Sequence, residues 1–146
     1  MPLKDNAKYD EWKIHFERLL ELLDKKIILI GESLWWIFLS KYLSENKLNK
    51  KIISIYMICP PFDNSLKWED LVWGFELQNN LDLIMENCKN ITLFFSKDDD
   101  IVPVDHAYKY KKKLPNANFV IYDSKNGHFN IEEFPEIVEM IKEDTK

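Results

Sequence analysis

The stretch from Lys26 to Tyr42 constrains the fold more than any other part of the chain. Lys26 is followed by Ile27-Ile28-Leu29-Ile30, four apolar residues of which three are β-branched. A short apolar run of this kind reads as a strand buried on both faces. Gly31-Glu32-Ser33 comes next, and then Leu34 to Tyr42, apolar at helical spacing and free of Pro and Gly. A strand that turns sharply into a helix leaves the turn residue, Ser33, at the strand's carboxyl end. The helix start aims its first N–H groups and the positive end of its dipole at the same spot. An oxyanion fits there, although phosphate turns and plain loops use the same junction.

The rest of the chain alternates in the same way. Ala7 to Leu23 carries Trp12, Phe16, Leu19, Leu20 and Leu23 at spacings of three and four, an amphipathic helix with Asp5 or Asn6 as its cap. Lys51 to Cys59 reads as a second buried strand, stopped by Pro60-Pro61. Phe62 to Leu77, with Trp68, Trp73 and Phe75, reads as a loop with a short helix over the core, as a lid over the serine, or as both. Leu81–Cys88 is a short helix, Ile91–Phe95 a strand, and Val104–Leu114 a helix with Pro103 near its start. Phe119–Tyr122 is a fourth strand, Asp123–Phe129 a loop, and Ile131–Glu143 a helix with Phe134, Ile137, Val138 and Ile141 on one face. One helix followed by four strand–helix units predicts an α/β protein. We expect three αβα layers around a mostly parallel sheet of about four strands, in a single domain over residues 1–146.

Composition narrows the partners. The 146 residues carry a net charge of -5, which argues against nucleic-acid binding. The basic cluster Lys109, Lys111, Lys112 and Lys113 closes a predicted helix, where cations complement the dipole. Cys59 and Cys88 have no His beside them at ligand spacing and are expected to be buried free thiols; no metal or cofactor is expected. The polar N-terminus and the lack of a membrane-length apolar run lead to the expectation of a cytoplasmic chain, with no membrane partner. His15 and His106 fall on predicted helices and are read as surface residues.

In a parallel sheet the carboxyl ends of all strands share one edge. Ser33 follows strand one, Asp98-Asp99-Asp100 follows strand three, and His128 follows strand four. The order Ser…Asp…His on three loops of one rim is that of the α/β-hydrolase triad. The matching stretches are Met1-Pro2, Tyr9-x-x-Trp12, Ile28-Leu29-Ile30-Gly31-x-Ser33-Leu34 and Lys41-Tyr42-Leu43-Ser44-Glu45-Asn46. Further on come Pro60-Pro61-Phe62, Ser96-Lys97-Asp98-Asp99-x-x-Val102-Pro103 and Gly127-His128-Phe129. With these pieces the chain resembles the small serine hydrolases similar to retinoblastoma-binding protein 9, within the α/β-hydrolase superfamily. The resemblance implies a minimal α/β-hydrolase fold and a triad of Ser33, Asp99 and His128, with Asp98 as the alternative acid. It implies the backbone N–H of Leu34 as an oxyanion donor, and a substrate pocket near Glu32, Trp35, Phe62, Trp68 and Phe129.

Two departures from the family pattern stand out. The family usually begins with further strands, one of which ends in a loop supplying a second oxyanion donor; this chain starts after them, as a fragment or a shortened hydrolase. Trp35, followed by Trp36, stands where the elbow's second glycine belongs. Together these predict that the elbow strand is a sheet edge, covered by Trp35 or Trp36 with the first helix, or buried in a homodimer. Two functions compete. One is an esterase cleaving small, short-chain acyl esters, slowed by the missing donor; the other is a catalytically impaired binding or interaction module.

Overall fold

The computed structural model describes residues 7–67, 74–77 and 80–146. Its elements run α1 (Tyr9–Leu22), β1 (Lys26–Glu32), α2 (Leu34–Glu45), β2 (Lys51–Ile58), α3 (Asp82–Asn87), β3 (Ile91–Ser96), α4 (Asp105–Lys113), β4 (Asn118–Tyr122) and α5 (Pro135–Asp144). The four strands form one all-parallel sheet in the order β1-β2-β3-β4, a minimal α/β-hydrolase architecture. Each crossover steps to the next strand in the same direction. Connections of a single hand that all step one way leave their helices on one face. Accordingly α1, α2, α3 and α4 pack on one side around Trp12, Phe38, Leu43, Ile55, Leu93 and Tyr110. Among the described residues α5 alone covers the other side, against Tyr56, Phe94 and Phe129.

The uneven layers change what β1 buries. Ile27 and Leu29 face the four-helix side and are buried, whereas Ile28 is half-buried and Ile30 is 41% exposed. The expectation of a strand buried on both faces is therefore corrected. β1 is an edge strand, and α5 makes its sheet contacts with β2. Trp36 is fully buried, and Trp35 is half-buried with its indole stacked on Phe38 at 5.2 Å and near Phe16 and Trp12. Trp35 Nε1 donates to the Ile30 carbonyl, 3.3 Å away, on the strand that forms the sheet edge. This indole thus covers part of the β1 edge, with Trp12 and Phe16 of α1 packed against it.

Several boundaries differ from the sequence expectations. The α1 stripe is Tyr9, Trp12, Phe16 and Leu20, while Leu19 and Leu23 are exposed because they fall off the line that meets α2. The N-cap of α1 is Lys8; Asp5 and Asn6 lie outside the described residues. α5 starts at Pro135 and not at Ile131, because the residue before a proline is driven out of the α region and Pro suits the first helical position. Val138 consequently faces solvent at 48% exposure. No helix forms in the described parts of residues 62–77; Phe75 is buried against Trp12 and Phe38, and Trp68 and Trp73 lie outside the described residues.

Candidate active site

The strand ends converge on one rim, and backbone strain concentrates there. Outside glycine, the positive φ angles among the described residues belong to Ser33 (49°), Cys59 (39°), Asn126 (57°) and Phe129 (52°). Each follows β1, β2 or β4 at its carboxyl end. Non-glycine residues in this region persist only where surrounding structure over-determines them, and they cluster at functional sites.

Ser33 occupies the turn between β1 and α2. Its N–H donates to the Ile58 carbonyl at 3.0 Å, which ties the turn to β2. Its carbonyl accepts from Trp36 N (2.9 Å) and Ile37 N (3.3 Å), so the helix begins on the serine itself. Leu34 is the first residue of α2, within the turn whose N–H groups have no intrahelical acceptor. Gly31 is needed for a local reason. A Cβ there would stand 2.0 Å from Trp35 Cδ1, so the indole occupies the space above the first glycine of the turn.

The two aspartates divide their tasks. Asp98 accepts hydrogen bonds from the Ser96 and Ser124 hydroxyls and from the N–H groups of Lys125 (3.1 Å) and Gly127 (3.0 Å). It thereby ties the loop after β4 to the loop after β3. These bonds, the Ser124 and Ser96 hydroxyls foremost, hold its carboxyl well below the usual range. Asp99 is 2% exposed and accepts from Ile101 N (2.9 Å) and Val102 N (2.8 Å). Its two oxygens lie 3.0 and 2.8 Å from His128 Nδ1. A carboxylate only accepts, so Nδ1 carries the proton and Nε2 is the ring's acceptor.

Nε2 faces the end of β2, where Cys59 Sγ lies 3.6 Å away. Glu32, the residue before Ser33, completes a trio in which one ligand atom each of Glu32, Cys59 and His128 lie within 4.8 Å of one another. Burial raises the Glu32 carboxyl, with His128 opposing and Asp99 adding to the shift. Cys59 is fully buried, and burial pushes its thiol far up, with the Glu32 and Asp99 charges adding. The sequence reading of two buried free thiols holds. It missed that Cys59 adjoins a histidine 69 positions away, because only the parallel pairing of β2 and the loop after β4 brings them together.

The other pocket candidates sit as follows. Phe129 is buried at the foot of a cleft of about 160 Å³ shared with Glu32, Ile58, Ile131 and Phe134. Phe62 stands edge-on to Tyr110 at 5.0 Å. Trp35 points into the aromatic cluster under α1. A larger cleft of about 480 Å³ opens at the amino end of β3, lined by Asp82, Met85, Ile91 and Ala117, but no serine, cysteine or histidine lines it. His106 is not the surface residue expected from its helix position. It is fully buried, accepting from Phe62 N at Nδ1 (2.9 Å) and donating from Nε2 to the Ser65 carbonyl (3.1 Å). It pins the segment after β2 to α4, a role invisible in helical periodicity.

A strained serine at a strand–helix turn and an imidazole–carboxylate pair on the loops after β3 and β4 thus share one rim of the sheet. The serine hydrolase family model matches residues 2–142, and the chain belongs to that family. The product of the Bacillus subtilis ydeN gene is similar in structure, with a TM-score of 0.86 and 19% identity over 99% of this chain and 79% of that one. The Pyrococcus furiosus esterase Pf2001 gives a TM-score of 0.61 and 21% identity, over 94% of this chain and 62% of that one. Among curated proteins, the probable lysophospholipase BODYGUARD 3 of Arabidopsis thaliana is 24% identical over 131 residues. This stretch is 86% of the present chain and 25% of that protein, so the chain spans about a quarter of its relative's length. No described helix is long and apolar enough to cross a membrane.

Proposed function

We propose that the protein is a carboxylesterase that cleaves small acyl esters through an acyl-enzyme on Ser33. The observation that carries this reading is the Asp99–His128 pair at 2.8 Å, with Nε2 of that ring beside Cys59 at the end of β2, the strand end to which the Ser33 turn is tied through the Ile58 carbonyl. Ser33 Oγ attacks the ester carbonyl while His128 Nε2 takes its proton, and the same proton then leaves with the alcohol. Water, deprotonated by Nε2, attacks the acyl-enzyme and releases the acid. Asp99 keeps the proton on Nδ1 and stabilises the charged ring between the two transfers. The Leu34 N–H stabilises the oxyanion, a contribution of about 3–4 kcal/mol per such donor.

Two nucleophilic side chains belong to this rim, and their environments separate them. The Cys59 thiol is buried and its ionisation is suppressed, whereas Ser33 is partly exposed at the helix start. The cleft of about 160 Å³ beside Phe129, lined also by Glu32, Glu132 and Glu133, has room for a small acyl group, and the similar structure from Pyrococcus furiosus is that of an esterase. Hydrolysis of p-nitrophenyl acetate by wild type and Ser33→Ala tests the reading. The variant should lose turnover by roughly 10⁴-fold or more with its thermal unfolding unchanged. Equal rates would leave a hydrolase-fold binding module as the better account.

A further inference from the structure

We propose that Glu32, Cys59 and His128 form a zinc site whose occupation switches the hydrolase off. The inference takes the proposed function as its base, because the metal would claim the nitrogen that serves as the general base.

The geometry carries the assignment. Zinc binds thiolate at about 2.3 Å and imidazole nitrogen at about 2.0–2.1 Å, so the sulfur–nitrogen edge of a tetrahedral site measures about 3.5 Å. Cys59 Sγ and His128 Nε2 are already 3.6 Å apart. Nδ1 of the same ring is held by the Asp99 carboxylate, the outer-shell partner that metal-binding histidines commonly have. The Glu32 carboxylate lies within 4.8 Å of both other ligand atoms, and its residue is exposed, so a side-chain rotation brings an oxygen to coordination distance. Cys59 itself sits at φ 39°, on the strained turn that ends β2, with Pro60 following it. A thiol, an imidazole and a carboxylate are a borderline-soft donor set suited to zinc and not to calcium or magnesium.

Neither the imidazole nor the carboxylate need change its proton count, since Nε2 offers a lone pair and Glu32 a carboxylate oxygen. The thiol proton passes to solvent as the zinc–sulfur bond forms, so binding releases one proton per ion. No redox step is involved. With zinc on Nε2, the imidazole cannot accept the Ser33 proton, and acylation stops until a chelator removes the ion.

Cobalt(II) titration of the purified chain tests this, because cobalt reports both geometry and ligand type. The expected result is one cobalt per chain with tetrahedral visible bands and a thiolate-to-cobalt charge-transfer band. Cys59→Ser should lose that charge-transfer band, and Glu32→Gln, which removes a direct ligand, should weaken binding by at least the roughly 10–100-fold that loss of a mere outer-shell partner costs. In parallel, zinc should block fluorophosphonate labelling of the wild type, EDTA should restore it, and Cys59→Ser should label equally with and without zinc. Cobalt bound without a thiolate band, or Cys59→Ser as zinc-sensitive as wild type, would overturn the proposal. If Cys59→Ser does not fold, Glu32→Gln carries the comparison, and unchanged cobalt affinity there overturns it. The cobalt spectrum requires no turnover, so an inactive chain that binds cobalt through its thiolate refutes the esterase reading alone.

Discussion

The two faces of the sheet are built on different principles. The side carrying α1 to α4 is a continuous aromatic pack: Phe38 touches Tyr9, Trp12, Phe16, Trp35, Tyr42 and Phe75 with ring centroids 5.2–6.4 Å apart. The other side carries one helix among the described residues and leaves Ile30 and Val138 more than a third exposed. The residues bracketing the chemistry, Cys59 and Phe129, belong to the thin side's cluster. Stability is thus concentrated in one layer, and the loops that carry acid and base are anchored on the other. The rim can hold strained backbone because the thick layer supplies the surplus that strain consumes.

That contrast breaks first, and most severely, at Trp36. Its side chain is fully buried in the thick layer, so Trp36→Ala should cost about 3–5 kcal/mol in denaturant unfolding. A cost below 1 kcal/mol would mean that the aromatic pack is not where the stability resides. Gly31→Ala comes next. The new methyl meets the Trp35 ring, which must leave the β1 edge, and a loss of about 1–3 kcal/mol should accompany increased quenching of indole fluorescence by iodide.

His106 gives a smaller, pH-dependent effect at the junction between layers and rim. Burial holds its pKa below the ordinary value, with Lys109 adding to the shift and Asp63 and Asp105 opposing it. The unfolded chain therefore binds the proton more readily than the folded one. The stabilisation is complete above about pH 6.5 and declines as the pH falls through that value toward the depressed folded pKa. Tm should drop between pH 7 and pH 5, and His106→Gln should flatten part of that slope. An identical slope in the variant would show that other groups set it. The smallest effect is expected on the thin side: Val138→Ala, at an exposed position, should change stability by less than about 0.5 kcal/mol.

The sequence announced the parts whose signals are local. Gly31 and Ser33 between an apolar run and a helix marked the turn, and strand–helix alternation marked the parallel sheet and the rim. The choice between Asp98 and Asp99 was not local. It depends on which carboxylate the loops leave for the imidazole, and Asp98 is consumed by Ser124, Lys125 and Gly127. Trp35 read as a departure from the expected glycine and as a cover for an edge strand; where the indole goes, folded back over Gly31 and bonded to the Ile30 carbonyl, needed the structure. His106 and Cys59 were legible only as a helix residue and a buried thiol, since the partners of each lie more than 40 positions away.

The account stands on Ser33 being the activated nucleophile. Native protein is treated with a fluorophosphonate, digested, and its adduct located by peptide mass spectrometry. The prediction is a single adduct on Ser33, lost in urea-unfolded protein and strongly reduced in Asp99→Asn, whose imidazole no longer keeps its proton on Nδ1. An adduct on another residue, or none in folded protein, would contradict it.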